Sequence, residues 1–279
     1  MTNFLFVADF FADEVPGGGE LNNEVLIREL SKRFVVKKIK SNELQNLEQY
    51  KKHKIIVANF INLSESVKKD LSCRGNYAIY EHDHKYLKTR NPATYRNYIA
   101  PKDQIINEDF YLNANAVLCQ SEFHKQIMLK NLNINNVINL SGNLWDELSR
   151  DYLIFGAQNQ KKSRAAIMLT NNWHKNTKGA VEYCKKNQIE FELLLPNVHE
   201  KFLQQMSKNK SFVFLPKTPE TLSRVAVEAR MMNLSLVTND NLGATSEEWF
   251  NLKGEELIDY VFKEMKHQIV KKIEKIFHE

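Results

Sequence analysis

Short, β-branched apolar runs alternate with helical patterns along this chain, and that alternation predicts an α/β protein with parallel sheets. The runs fall into two sets separated by a polar stretch at residues 158–164, which predicts two α/β domains facing a central cleft. The first set comprises residues 4–8, 34–39, 55–58, 77–80, 116–119 and 137–140, with a helix at 20–30 after the first run. The second comprises 166–169, 191–195, 212–215 and 234–237, with a helix at 178–186. These place a first domain over residues 1–155 and a compact second domain over 156–256. Residues 257–279 carry an amphipathic helix (its pattern running from 255 to His278), whose apolar positions recur mostly at three- and four-residue steps. It packs either on the second domain or back on the first.

Composition narrows the function classes. With 279 residues, 43% hydrophobic and 26% charged, the chain can bury a substantial core. No apolar run approaches the roughly 20 residues needed to cross a bilayer, and the apolar N-terminus lacks the basic region of a signal peptide, so it reads as a first strand. Three widely spaced cysteines, Cys73, Cys119 and Cys184, fit neither a metal site nor a disulfide framework; they suggest a reducing, cytoplasmic setting. The net charge of +5 comes largely from scattered lysines and fits a solvated surface, with contact to anionic lipid at a membrane periphery or to an anionic substrate as the alternative. No nucleic-acid motif is present, so no nucleic-acid partner is expected.

The most informative segment runs from Pro219 to Asp240. It reads as loop, helix, tight stop at Asn233 and strand, with Glu220 in the loop and Glu228 in the helix. The helix N-terminus between the two carboxylates offers free N–H groups to an anion. In the first domain, three of only nine glycines are consecutive, Gly17 to Gly19, between the first strand and its helix. Such a loop can approach a phosphate or sugar without Cβ interference. Glu81, His82, Asp83 and His84 follow the strand at 77–80, where ionisable groups suit a cleft.

These residues resemble the retaining glycosyltransferases of GT-B fold, family 4 in particular. Gly17-Gly18-Gly19-Glu20 resembles their G-G-x-E entry, and Glu220-Thr-Leu-Ser-Arg-Val-Ala-Val-Glu228-Ala229 resembles their E-x7-E motif. Ser141-Gly142-Asn143 and Lys178-Gly179 are lesser matches. The resemblance covers most of the chain and implies two Rossmann-like domains, the second holding a nucleotide-sugar donor and the first a hydroxyl acceptor. It implies hexosyl transfer with retention, no cofactor and no metal. Glu228 would bond the ribose hydroxyls, and Glu220 would lie near the transferred sugar. Backbone groups of Thr221, Leu222, Ser223 and Arg224, with Gly18 and Gly19, would face sugar or diphosphate. His82 is assigned a place beside the donor sugar, although His84 fits nearly as well; Asp83 orients one of them or meets the acceptor, and His84 is placed with it on the acceptor side. The family's basic pair lacks its arginine: Lys178 is first choice for the diphosphate, Lys175 second, and Arg224 a substitute charge. The glycine expected early in the helix is replaced by Ser223-Arg224, and the glycine stop by Asn233. The alternatives are a non-catalytic nucleotide-sugar-binding module and an epimerase or phosphorylase on the same fold.

Overall fold

A computed structural model describes residues 3–15 and 17–277. The chain divides into two compact units, one formed by residues up to Leu144 together with those from Lys266 onward, the other by Trp145–Met265.

In the first unit the order is β1 (Asn3–Ala8), α1 (Gly18–Ser31), β2 (Val35–Lys40), β3 (His53–Val57), α2 (Glu65–Arg74), β4 (Tyr77–Tyr80), α3 (Glu108–Leu112), β5 (Ala116–Cys119), α4 (Glu122–Leu129) and β6 (Val137–Asn139). The six strands form a parallel sheet in the order β2-β1-β3-β4-β5-β6. Strands β4 and β5 are buried at every position, as a sheet covered on both faces requires. The core beneath gathers Leu5, Val57, Ile79, Tyr86 and Val117. Strand β2 lies at the edge and is lysine-rich, which blunts it against pairing with another chain.

The second unit contains α5 (Glu147–Gln158), β7 (Lys162–Met168), α6 (Thr177–Lys186), β8 (Phe191–Leu194), α7 (His199–Met206), β9 (Asn209–Val213), α8 (Arg224–Met231), β10 (Ser235–Val237) and α9 (Gly254–Asp259). Its parallel sheet has the order β10-β9-β7-β8. Asn233 ends α8 with φ +64, the left-handed conformation that asparagine tolerates in place of glycine.

The chain divides differently from the sequence expectation at residues 155 and 256. Helix α5 belongs to the second unit, and the polar stretch between the two sets of strands is the end of α5 and the start of β7. Arg164 in that stretch donates from Nε to Asn209 Oδ1 at 2.9 Å and pairs with Glu192, so the polar residues tie strands together. The C-terminal helical pattern is split: α9 is followed by a π-helical turn, Tyr260–Met265, and then by α10 (Lys266–Ile276). His278, the last residue expected in that helix, lies outside the described residues.

Helix α10 packs within the first unit. Ile269 and Ile273 are fully buried, and the Phe277 ring meets Phe4 of β1 edge-on at 5.4 Å. Lys272 Nζ donates to the Asn139 carbonyl at 2.9 Å, and Arg33 pairs with Glu274. Ile273→Ala should therefore cost about 2–5 kcal/mol. Hydrogen exchange should locate the loss in β1, α1 and α10, with the amides of the second unit's sheet unaffected.

Candidate functional site

In the first unit the strand order reverses between β1 and β3, so the loops leaving their carboxyl ends part and open a crevice. A pocket of ≈ 510 Å³ sits there, lined by the residues after β1 and β3, the first turn of α1, and the end of β4. Asp9 builds its wall. The carboxylate accepts from the backbone N–H groups of Ile61 at 2.9 Å and Asn62 at 3.0 Å, and from the Ser41 hydroxyl. This binds the loop after β3 to the end of β1.

The glycine run is not a loop. Gly17 is the N-cap of α1, with φ −78°, and Gly18 and Gly19 form its first turn. Among the described residues the positive-φ glycines are Gly75, Gly142 and Gly254, so the run makes no left-handed demand. The space at Gly17 is taken by this chain's own Glu20: a Cβ on Gly17 would lie 2.3 Å from Glu20 Oε2. Glu20 thus folds back over the helix start, where a carboxylate offsets the positive dipole end. Its Oε1 accepts from Asn59 Nδ2 at 3.1 Å, and burial, ahead of other influences, pushes its pKa up.

The tetrapeptide after β4 separates by direction. The half-buried His82 lines the pocket beside Gly19. Its Nε2 is 2.7 Å from Asn23 Oδ1, and its Nδ1 meets the Gln120 amide. Burial, reinforced by Lys85, lowers its pKa to about 3, so the ring is neutral and held on both sides. It is a fixed wall and hydrogen-bonding group, poorly suited to shuttling protons. His84 turns inward: it is 2% exposed, meets the Tyr86 hydroxyl at 2.9 Å and packs edge-on against His124 at 5.1 Å. The acceptor-side role expected of His84 is not supported by this placement. The His82-Asp83-His84 tripeptide does not converge on a point, and among the described residues no group of three or more His, Cys, Asp or Glu comes together to hold a metal ion.

Behind the pocket lies a charge network that the sequence pattern did not single out. Lys85 Nζ donates to Glu81 Oε1 and Asp83 Oδ1, each at 2.7 Å, and Tyr111 donates its hydroxyl proton to Glu81 Oε2. Glu81 and Lys85 are essentially inaccessible. Burial raises the Glu81 pKa to about 7 against the pull of Lys85. Burial also opposes the Asp83 charge, but Lys85, the contact with Glu81 and Arg90 outweigh it and hold that carboxyl well below its usual range. The i, i+4 spacing of Glu81 and Lys85 was the available signal, but it lies on a loop where helical spacing carries no expectation. Lys85→Met leaves the buried Glu81 without its cation and Asp83 with Arg90 alone, and should cost about 3–5 kcal/mol, read from the denaturant midpoint.

The second unit repeats the topology, with its reversal between β7 and β9. The two loops there are tied by Lys217 N–H to the His174 carbonyl at 2.9 Å and Asn176 Nδ2 to the Leu215 carbonyl at 2.8 Å. Across them Lys175 Nζ donates to both oxygens of Glu220, each at 2.8 Å. The Glu220 backbone is pinned to the turn after β10: its N–H donates to the Asn241 carbonyl and its carbonyl accepts from Gly243, both at 2.9 Å. Leu222 is fully buried, and its carbonyl accepts from Ala244 at 3.1 Å; Thr221 is half-buried. Ser223 takes φ 79°, which explains why glycine is favoured there, and its buried Oγ has no partner among the described residues.

Arg224 opens α8 but does not extend into solvent. Its guanidinium carbon lies 4.4 Å from the Trp145 ring centroid, and Nη2 lies 3.8 Å from Glu228 Oε1. Glu228 Oε1 also accepts from Trp145 Nε1 at 2.9 Å and meets His199 Nε2 at 3.0 Å. No hydrogen bond reaches its Oε2 among the described residues. Burial works against this carboxylate, but His199, Arg224 and Trp145 together lower its pKa to about 2. Trp145 and His199 are far from the motif in sequence, and no spacing signals them. Lys175 is the one brought to Glu220, whereas Lys178 has an 88% exposed side chain 3.9 Å from Glu182. The Trp173 ring is 56% exposed and stacked on His174 at 3.9 Å.

The Glu228 pKa is depressed on folding, so its contribution to stability is complete above the ordinary value of 4.5 and is lost as pH falls through about 2. Glu228→Gln should flatten the acid limb of the stability curve over that window, measured by urea unfolding at successive pH values.

No family model matches the chain, and no curated protein matches it. Solved structures do. Anabaena Alr3699/HepE in complex with UDP-glucose is similar with a TM-score of 0.55 at 12% identity, covering 99% of this chain and 100% of that one. The UDP-forming α,α-trehalose-phosphate synthase from Burkholderia vietnamiensis is similar with a TM-score of 0.53 at 7% identity, covering 99% and 93%. The apo form of the lipopolysaccharide outer core galactosyltransferase WaaB gives 0.50 at 11% identity, covering 100% and 99%. At these identities the likeness establishes the fold: two α/β units with parallel sheets, as in GT-B glycosyltransferases.

Proposed function

We propose that this chain is a glycosyltransferase that moves a hexosyl group from a nucleotide-sugar donor to a hydroxyl acceptor with retention. The observation that carries this is the α8 start. Glu220, held by Lys175, stands before the helix N-terminus, and Glu228, ionised and fixed by Trp145 and His199, keeps one oxygen for a ligand. A carboxylate with a spare oxygen suits a ribose diol, and helix-end N–H groups suit a diphosphate. The binding of UDP-glucose by HepE, a neighbour of the same fold, supports the donor class.

In this mechanism the leaving diphosphate oxygen takes the acceptor proton on the same face of the sugar, so no protein nucleophile is required. The protein's contribution is positioning and charge stabilisation. Lys175 and Arg224 are the nearest cations to that role, Lys175 replacing Lys178 as first choice. Ser223 Oγ and the N–H groups at Leu222 to Arg224 face the diphosphate, and Glu220 orients the transferred sugar. In the first unit, Asp83 meets the acceptor. Free thiols at Cys73, Cys119 and Cys184 fit a reducing, cytoplasmic setting. Among the described residues no helix is long and apolar enough to cross a membrane.

One observation favours a second reading, a nucleotide-sugar-binding module without turnover: Lys175 is already neutralised by Glu220, and Arg224 by Glu228. Thermal-shift screening of UDP-, GDP- and ADP-sugars should find one that stabilises the wild-type chain. Glu228→Ala should abolish that shift, and Arg224→Ala should lower transfer at least about tenfold, equivalent to about 1.4 kcal/mol. A shift that survives Glu228→Ala removes the basis of the donor assignment. Donor binding without transfer to any hydroxyl acceptor selects the module.

A further inference from the structure

We propose that the pocket of the first unit binds an uncharged carbohydrate and discriminates against its phosphorylated or carboxylated counterparts. As the acceptor of the transfer proposed above, that carbohydrate depends on the glycosyltransferase reading; as a ligand of the pocket, it does not.

The pocket volume of ≈ 510 Å³ is in the range of small-molecule sites. Its charge is mostly of one sign. Asp9, Glu20 and Asp83 line it, whereas Arg90 is the one lining cation. Arg90 is itself 3.5 Å from Asp83, and Lys85, behind the wall, is spent on Glu81 and Asp83. The helix start that would otherwise attract an anion is closed, because Glu20 folds over Gly17 and supplies the negative charge itself. An arriving phosphate would meet three carboxylates and no uncommitted N-terminal turn. A cation is an equally poor occupant: both Asp9 oxygens are engaged by the loop after β3, and the carboxylates do not form a ligand set.

Hydroxyl groups fit. Glu20 accepts one hydrogen bond from Asn59 and has lone pairs left, and Asp83 remains 36% exposed at the pocket edge. Asn59 and Asn62 add amides that both donate and accept. Phe10 and Ile61 supply the apolar side; they are 46% and 51% exposed although they line a concavity. A sugar ring has the matching construction, an apolar C–H face and a rim of hydroxyls, and covering Phe10 removes apolar surface from water.

The test is calorimetric titration of the full chain, with and without UDP, using matched pairs: hexoses and disaccharides against their 6-phosphates and uronic acids. At least one neutral member should bind at least about tenfold more tightly than its charged partner. Glu20→Gln should narrow that preference at least about threefold by removing one like charge. Phe10→Ala, at an exposed position, should weaken both members about tenfold with an unchanged unfolding transition. Preference for the charged member, an unchanged preference in Glu20→Gln, or no sugar binding at millimolar concentration would overturn the proposal. Sugar binding is read without donor turnover, so a chain that binds neutral sugars but no nucleotide sugar refutes the transferase reading alone. A chain that binds donor but prefers phosphorylated sugars refutes the pocket proposal alone.

Discussion

The constraint on which the structure depends is the reversal of strand order in each parallel sheet. A parallel strand must be followed by a crossover, and where successive crossovers pass to opposite faces, the loops at the carboxyl ends diverge. In the first unit this happens between β1 and β3, and in the second between β7 and β9. Several polar groups with candidate roles gather around one or other of these two openings. Asp9, Glu20 and His82 surround the first; Lys175, Glu220 and the start of α8 border the second.

Around both openings, ionisable groups are paired before any ligand arrives. A carboxylate removed from water without a partner is costly, and the structure offsets that cost internally. Asp83 has Lys85, Glu220 has Lys175, and Glu228 has His199 and Trp145. The pairing also orients the groups: Glu228, held through Oε1, presents its other oxygen in a fixed direction. That is preorganisation: a ligand meets donors and acceptors already aimed and spends little on arranging them. His82 follows the same logic without charge, its ring held between Asn23 and Gln120.

Much of the architecture was legible because local patterns carry it. β4 and β5 coincide with their apolar runs, since a strand covered on both faces has no alternative composition. The order of Glu220, α8, Asn233 and β10 was legible for the same reason: helix periodicity, a left-handed stop and a short apolar strand are short-range features. The helix at the C-terminus was also visible, but its division by a π-helical turn was not, because one inserted residue per turn barely alters an apolar stripe. The role of the polar stretch at residues 158–164 was not legible, because Arg164 joins β7 to β8 and β9 through residues distant in the chain.

Sequence alone determined the α/β class, the two sets of strands, and the two glutamates flanking a helix start. Each follows from residue spacing, and spacing is a local property. Only the tertiary structure decided which charges meet. It brought Lys175 to Glu220 and left Lys178 in solvent, turned His82 toward the pocket and His84 away from it, and closed the α1 start with Glu20. Those choices depend on side-chain directions set by contacts distant in the chain. Trp145 and His199 lie 83 and 29 residues from Glu228, beyond the reach of any motif.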